Sequence, residues 1–349
     1  MGILRLFLAL CVATSHYRVI VLGQYGSSER DTPFAIYSTL GLDAGHAVFI
    51  FYMVSGFLIS YALEMKYKNK TLRFYGARIK RLYPLYLCLA AVTILMTKIN
   101  LKYFDIKNLW PLGLGLLGGD WVLVFNNYPK DFWSHYPPLL NPAWSLSVEV
   151  AFYLIAPFLL RAKKICLLVF ILSVIARWLC LRFDAGLLYY HWFPVSLYFF
   201  LAGHYSWEFF KRRKLNDVFY YCLIPAFFVL TWLGVPKTPF DNLYFYGYLT
   251  CIFLGLPVLF EKTKGIGWVN FLGNLSYPIY LSHTIVLSLL FLGPNPLIPQ
   301  SATCSRGWQG QAIFLLSTIT TGIFLHYFIE NKLQRAVIKL LQKFRTRSL

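Results

Sequence analysis

Apolar stretches of about twenty residues recur along this chain, separated by short polar or charged segments. A helix needs a window of about that length to cross a bilayer. Such windows fall near residues 3–22, 43–63, 82–98, 147–160, 165–182, 189–210, 218–236, 241–260, 271–292 and 310–330. The pattern predicts an all-α, polytopic membrane protein with about ten transmembrane helices. Residues 109–125, "LWPLGLGLLGGDWVLVF", are also apolar, but Pro111 and the repeated glycines weaken a helix there. That segment reads as a re-entrant or interfacial part of a long loop. The first apolar run has some features of a signal peptide, but its charged region is very short and the apolar pattern resumes past His16. No cleavage is expected.

Composition and charge sharpen this picture. The chain is 58% hydrophobic and only 13% charged, too little polar surface for a soluble domain of this length. Its formal net charge of +19 would suggest nucleic acid in a soluble protein. Here, however, the cations sit between apolar spans. They alternate in density from one intervening segment to the next. Lys66 to Arg81, Arg161 to Lys164, Lys211 to Lys214, Lys262 with Lys264, and the tail beyond Glu330 are rich in Lys and Arg, and the other segments are several-fold poorer. The positive-inside rule then places both termini in the cytoplasm and the 99–146 loop outside. Residues 1–331 read as one membrane unit and 332–349 as a short basic cytoplasmic tail against the inner leaflet. The partner implied by the charge is the lipid bilayer, with no nucleic acid. The seven cysteines lie mostly inside apolar spans and form no CxxC, so no disulfide framework is expected. His46, His135, His191, His204 and His326 show no metal-ligand spacing, and no metal site is expected.

Ionisable groups inside a span are costly and are usually functional or tightly paired. In "RLFLALCVATSH", Arg5 and His16 are eleven residues apart. That is almost three helical turns, so both project from nearly one face, roughly 16 Å apart along the axis. Arg5 then sits at the cytoplasmic boundary and His16 beyond the midplane. Two readings stay open for His16: a hydrogen-bonded helix contact, or a general base. In "ARIKRLYPLY", Arg78 and Arg81 share a helical face where cytoplasm meets the third span. They serve either as topology anchors or as a fork-like grip on phosphate. In "NPAWSLSVEVAFYL", Ser145 is placed to cap the helix, and Glu149 falls inside the span. Glu149 is either a structural acid paired to a cation, or a carboxylate that orients the histidine or meets an acceptor hydroxyl. Ser55-Gly56 suits close helix contact or backbone exposure to a ligand. In "LGNLSYPIYLSH", Tyr277, Tyr280 and His283 surround Pro278, which would kink the helix, and packing is the simpler reading for them.

Together these features resemble the membrane acyltransferase 3 family, whose members modify bacterial surface glycans. The resemblance is carried by Arg5 and His16 in the first span, by Phe51, Tyr52, Ser55, Gly56 and Phe57 in the second, and by the Arg78/Arg81 pair before the third. It continues through Trp144, Ser145, Leu146 and Glu149 and the run from Leu272 to His283. It covers Arg5 to His283 in the family's order. Ala77 stands where many members have a further arginine before the pair. Larger members also carry an extra periplasmic catalytic domain, and with no segment here corresponding to one, the membrane unit is expected to complete the transfer itself.

The resemblance implies an acyl-CoA donor, most often acetyl-CoA, a glycan hydroxyl as acceptor, no permanently bound cofactor, and residence in the bacterial inner membrane. Arg5, Arg78 and Arg81 would hold the donor's phosphates. His16 and Glu149 would be the catalytic residues, with His16 as general base. Ser55, Asn141, Trp144, Ser145, Tyr277 and His283 would meet substrate. A transporter or flippase for a lipid-linked sugar is the alternative, although the sequence shows no half-to-half correspondence of the kind many transporters have.

Overall fold

The computed structural model describes residues 1–22, 44–99, 142–183, 188–212, 243–292, 296–298, 308–330 and 332. Every regular element among them is helical. These are α1 (Gly2–Ile20), α2 (Ala44–Met65), α3 (Thr71–Ile99), α4 (Ala143–Leu159), α5 (Lys163–Arg182), α6 (Leu188–His191), α7 (Phe193–Arg212), α8 (Leu243–Thr263), α9 (Gly267–Leu287) and α10 (Trp308–Phe324). Helices α9 and α10 each run on into a π-helical turn, Ser288–Leu292 and Leu325–Glu330. Among the described residues, six helices are long and apolar enough to cross a membrane. The seventh expected span, 218–236, and the apolar 109–125 segment lie outside the described residues.

Several boundaries differ from the sequence reading. The third span is embedded in a helix that begins eleven residues earlier, at Thr71, and passes through Pro84. An apolarity window finds only the part in hydrocarbon, and the basic turns before it remain helical. The expected 189–210 span is divided into α6 and α7 around Trp192, because Pro194 lacks the N–H that a continuous helix would need there. Ser145 is not the cap of α4. Pro142 holds that position, and Ser145 Oγ instead donates to the Pro142 carbonyl at 2.9 Å. Helix α9 continues through Pro278 from Gly267 to Leu287.

Two glycine contacts bring pairs of helices to backbone distance. A Cβ added to Gly56 on α2 would stand 1.9 Å from the Phe200 carbonyl oxygen, and one added to Gly203 on α7 would stand 1.9 Å from the Met53 oxygen. The backbones are therefore in contact, as small residues permit between membrane helices. Around that contact Phe49 stacks on Phe199 with centroids 4.4 Å apart, and Tyr52 on Phe200 at 4.5 Å. At one end of the pair, Glu64 accepts from Trp207 Nε1 at 2.8 Å and from Lys211 Nζ at 2.6 Å. The order of these pairs shows that α2 and α7 run parallel. A Gly56→Leu substitution is expected to cost more than about 3 kcal/mol, since the neighbour is backbone and cannot rotate away. Size-exclusion chromatography in detergent should show loss of the monodisperse peak.

The second contact joins α1 to α9. A Cβ on Gly273 would lie 2.8 Å from Gly2 Cα, and one on Gly2 would lie 1.7 Å from the Val269 oxygen. This close approach brings the face of α1 that carries Arg5 and His16 against α9. Helices α5 and α10 stand at the rim, where Leu168, Leu172, Ile175, Trp178, Leu316 and Phe324 are exposed, a surface suited to lipid tails.

Within α5 lies a cation that the hydropathy pattern hides. Arg177 is 2% exposed. Its guanidinium lies over the rings of Phe49 at 4.6 Å and Phe199 at 5.2 Å, and Nη1 donates to the Tyr189 carbonyl at 2.9 Å. Stacking on aromatic faces and a backbone acceptor make the buried charge tolerable, and they fasten α5 to α6 and to the α2–α7 core.

Candidate active site

Helices α1, α2, α3, α4 and α9 enclose a cavity of about 830 Å³, its open mouth included. Its polar lining is Arg5 from α1, Tyr52 and Ser55 from α2, Arg78 and Arg81 from α3, Ser145, Glu149 and Tyr153 from α4, and Ser276, Tyr277 and Tyr280 from α9. Eight residues singled out from sequence, Arg5, Ser55, Arg78, Arg81, Ser145, Glu149, Tyr277 and Tyr280, thus converge on one space. Asn141 lies outside the described residues. Trp144 does not line the cavity. It packs on His191 of α6, with ring centroids 4.1 Å apart.

Glu149 is the cavity's one acidic side chain among the described residues. Ser55 Oγ donates to its Oε1 at 2.5 Å, and Tyr153 OH donates to the same oxygen. Tyr153 is placed by helix spacing, one turn along α4 from Glu149, and Ser55 faces the carboxylate from α2. Tyr153 was not singled out from the sequence, although its i,i+4 spacing from the intramembrane acid marks it.

Facing this one carboxylate are three guanidiniums. Arg5 has Arg81, Arg78 and Glu149 as electrostatic neighbours. Arg78 lies over the rings of Phe74 at 5.4 Å and Tyr153 at 5.7 Å, and its Nε is buried without a hydrogen-bond acceptor. Among the described residues, no carboxylate stands within ion-pair distance of Arg5, Arg78 or Arg81. Other acids in the bundle do have cationic or imidazole partners, as Glu64 has Lys211 and Glu330 has His326 at 2.8 Å. The cavity therefore carries an excess of positive charge in a region of low dielectric. Such an excess favours an anionic occupant.

His16 does not line this cavity. Its Nδ1 is 2.8 Å from Nε2 of His283, and the two rings stack with centroids 5.0 Å apart. His283 Nδ1 is in turn 2.7 Å from the Tyr280 carbonyl oxygen. These contacts determine where the protons are in the neutral pair. A carbonyl only accepts, so His283 Nδ1 carries a hydrogen and its Nε2 a lone pair. His16 Nδ1 must then donate to that lone pair, leaving His16 Nε2 as the basic nitrogen. His283 is fully buried, whereas His16 is partly exposed. A buried histidine thus orients a more accessible one, the arrangement in which a base is held in a single tautomer. The partner of His16 is therefore His283 and not Glu149, whose bonds go to Ser55 and Tyr153.

Tyr277 OH donates to the Leu82 carbonyl at 2.7 Å, linking α9 to α3. Tyr280 OH lies 2.7 Å from Ser145 Oγ. Because the Ser145 hydrogen goes to Pro142, Tyr280 is the donor.

Comparison with known proteins places this arrangement. The sequence model of an acyltransferase domain, acyltransferase 3, matches residues 1–327. An uncharacterized protein of Haemophilus influenzae is 32% identical over 117 residues, covering 32% of this chain and 47% of that one. The match thus spans under half the length of that curated relative. No solved structure matches the chain. With nearly its whole length matched, the chain belongs to the acyltransferase 3 family.

Proposed function

We propose that the chain is a membrane acyltransferase of the bacterial inner membrane. It would move an acyl group, most often acetyl, from cytoplasmic acyl-CoA to a hydroxyl of a cell-surface or lipid-linked glycan. The observation that carries this reading is the cavity lined by three arginines against, among the described residues, the single carboxylate of Glu149. CoA is a polyanion, and guanidinium forks suit its phosphates. The basic segment from Lys66 to Arg81, expected on the cytoplasmic side, would put these groups where CoA is found.

The histidine pair supplies the proton chemistry. His16 Nε2 takes the proton of the acceptor hydroxyl as its oxygen attacks the thioester carbonyl. The resulting imidazolium is held by its Nδ1–H bond to His283. When the tetrahedral intermediate collapses, the carbon–sulfur bond breaks and the CoA sulfur takes the proton from His16 Nε2. An ester and free CoA result, and the histidine is again neutral. Glu149, with Ser55 and Tyr153, sets the charge of the donor cavity.

Acetyl-CoA binding by the purified protein in detergent tests this. Saturable binding that weakens as salt is raised is the expected result. A transporter or flippase has no need of CoA, so absence of binding would overturn the proposal.

A further inference from the structure

The donor cavity and the histidine pair are separate compartments. Neither His16 nor His283 lines the cavity, and Tyr280, which does line it, belongs to both. Its backbone carbonyl holds His283, and its ring stands edge-on to the His283 ring at 6.0 Å and to Phe51 at 5.7 Å. Its hydroxyl donates to Ser145 across the gap between α9 and α4. Phe51 also lines the cavity. His283 follows Tyr280 by three residues, roughly 4.5 Å along the helix. Two aromatic rings of the cavity lining thus meet on the side where one of them, Tyr280, touches His283.

We propose that Tyr280 and Phe51 form a movable partition between the donor cavity and the His16–His283 pair, and that their size selects short acyl groups. This rests on the acyl-CoA reading above. Among the described residues the partition is held shut by one side-chain hydrogen bond, from Tyr280 to Ser145, while the Tyr280 backbone stays tied to His283. The ring can therefore swing without disturbing the tautomer of the pair. Pro278, two residues before Tyr280, removes one backbone donor from the same turn of α9. The acyl chain occupies the space the ring vacates, so its length is limited by the two aromatic side chains and not by the arginines that hold the phosphates.

The test compares acetyl-, butyryl- and hexanoyl-CoA as donors for purified wild-type, Phe51→Ala and Tyr280→Ala proteins, with kcat/KM measured for each. The ratio of hexanoyl to acetyl transfer is expected to rise at least about tenfold in either variant, the discrimination a few methylenes provide in an apolar pocket. Tyr280→Phe keeps the ring and loses only the latch, so its ratio should remain that of the wild type. An unchanged ratio in Phe51→Ala, which leaves Tyr280, Ser145 and both histidines in the chain, overturns the partition even if Tyr280→Ala fails to fold. If the wild type transfers no acyl group from any CoA, the function on which the inference rests has failed, and the inference falls with it.

Discussion

Replacing His16 by alanine is expected to lower acyl transfer by about 10²–10⁴-fold, the usual contribution of a positioned general base, while acetyl-CoA binding stays near that of the wild type. The separation follows from the geometry. His16 lies outside the cavity whose arginines would hold the donor, so its loss removes proton transfer without touching the phosphate grip. His283→Phe should give a smaller loss of the same kind. It preserves a stacked ring but leaves His16 Nδ1 without the acceptor that fixes the tautomer. Single-turnover measurements at saturating donor, with binding followed separately, distinguish a lost base from a lost binding site. A His16→Ala protein that binds donor normally and still transfers at the wild-type rate would remove His16 from the mechanism.

Replacing Arg78 and Arg81 together by alanine should do the opposite. Each charge-assisted contact contributes about 1.5–3 kcal/mol, so losing two weakens donor binding by roughly 10²–10⁴-fold. Arg78 also covers the Phe74 and Tyr153 rings, and part of its loss will appear as reduced stability. Thermal melts of the unliganded variants separate that contribution. The paired lysine variant keeps both charges but loses the planar fork, and it should recover only part of the affinity. Equilibrium dialysis with acetyl-CoA reads all three proteins on one scale. An affinity unchanged in the double alanine variant would mean that the arginines are topology anchors and nothing more.

The membrane-length helices among the described residues were legible in the sequence for a physical reason. A bilayer imposes a length and an apolar composition on anything that crosses it, and those constraints appear directly in the residues. What the pattern lacked was register. His16 and His283 are 267 positions apart, and their contact depends on how α1 lies along α9. That placement is set by Gly2 meeting Gly273, and two glycines far apart in sequence announce no pairing. Tyr153 was readable from its spacing to Glu149, and the α6–α7 break from Pro194. Arg177 was hidden because one cation does not lower the hydropathy of a twenty-residue window enough to interrupt it. One of the readings open for Glu149 in the sequence had it orient His16. In the bundle Glu149 meets Ser55 instead, and a second imidazole occupies the orienting position.

Acylation of a glycan with His16 as base is tested most directly in cells. Cells lacking the gene, complemented with either the wild-type chain or His16→Ala, allow the surface polysaccharide of each to be compared by NMR and mass spectrometry. The account predicts ester-linked acyl groups with the wild type and none with His16→Ala, at equal amounts of membrane-inserted protein. Acyl groups present at the same level with His16→Ala, or unchanged when the gene is absent, would contradict it.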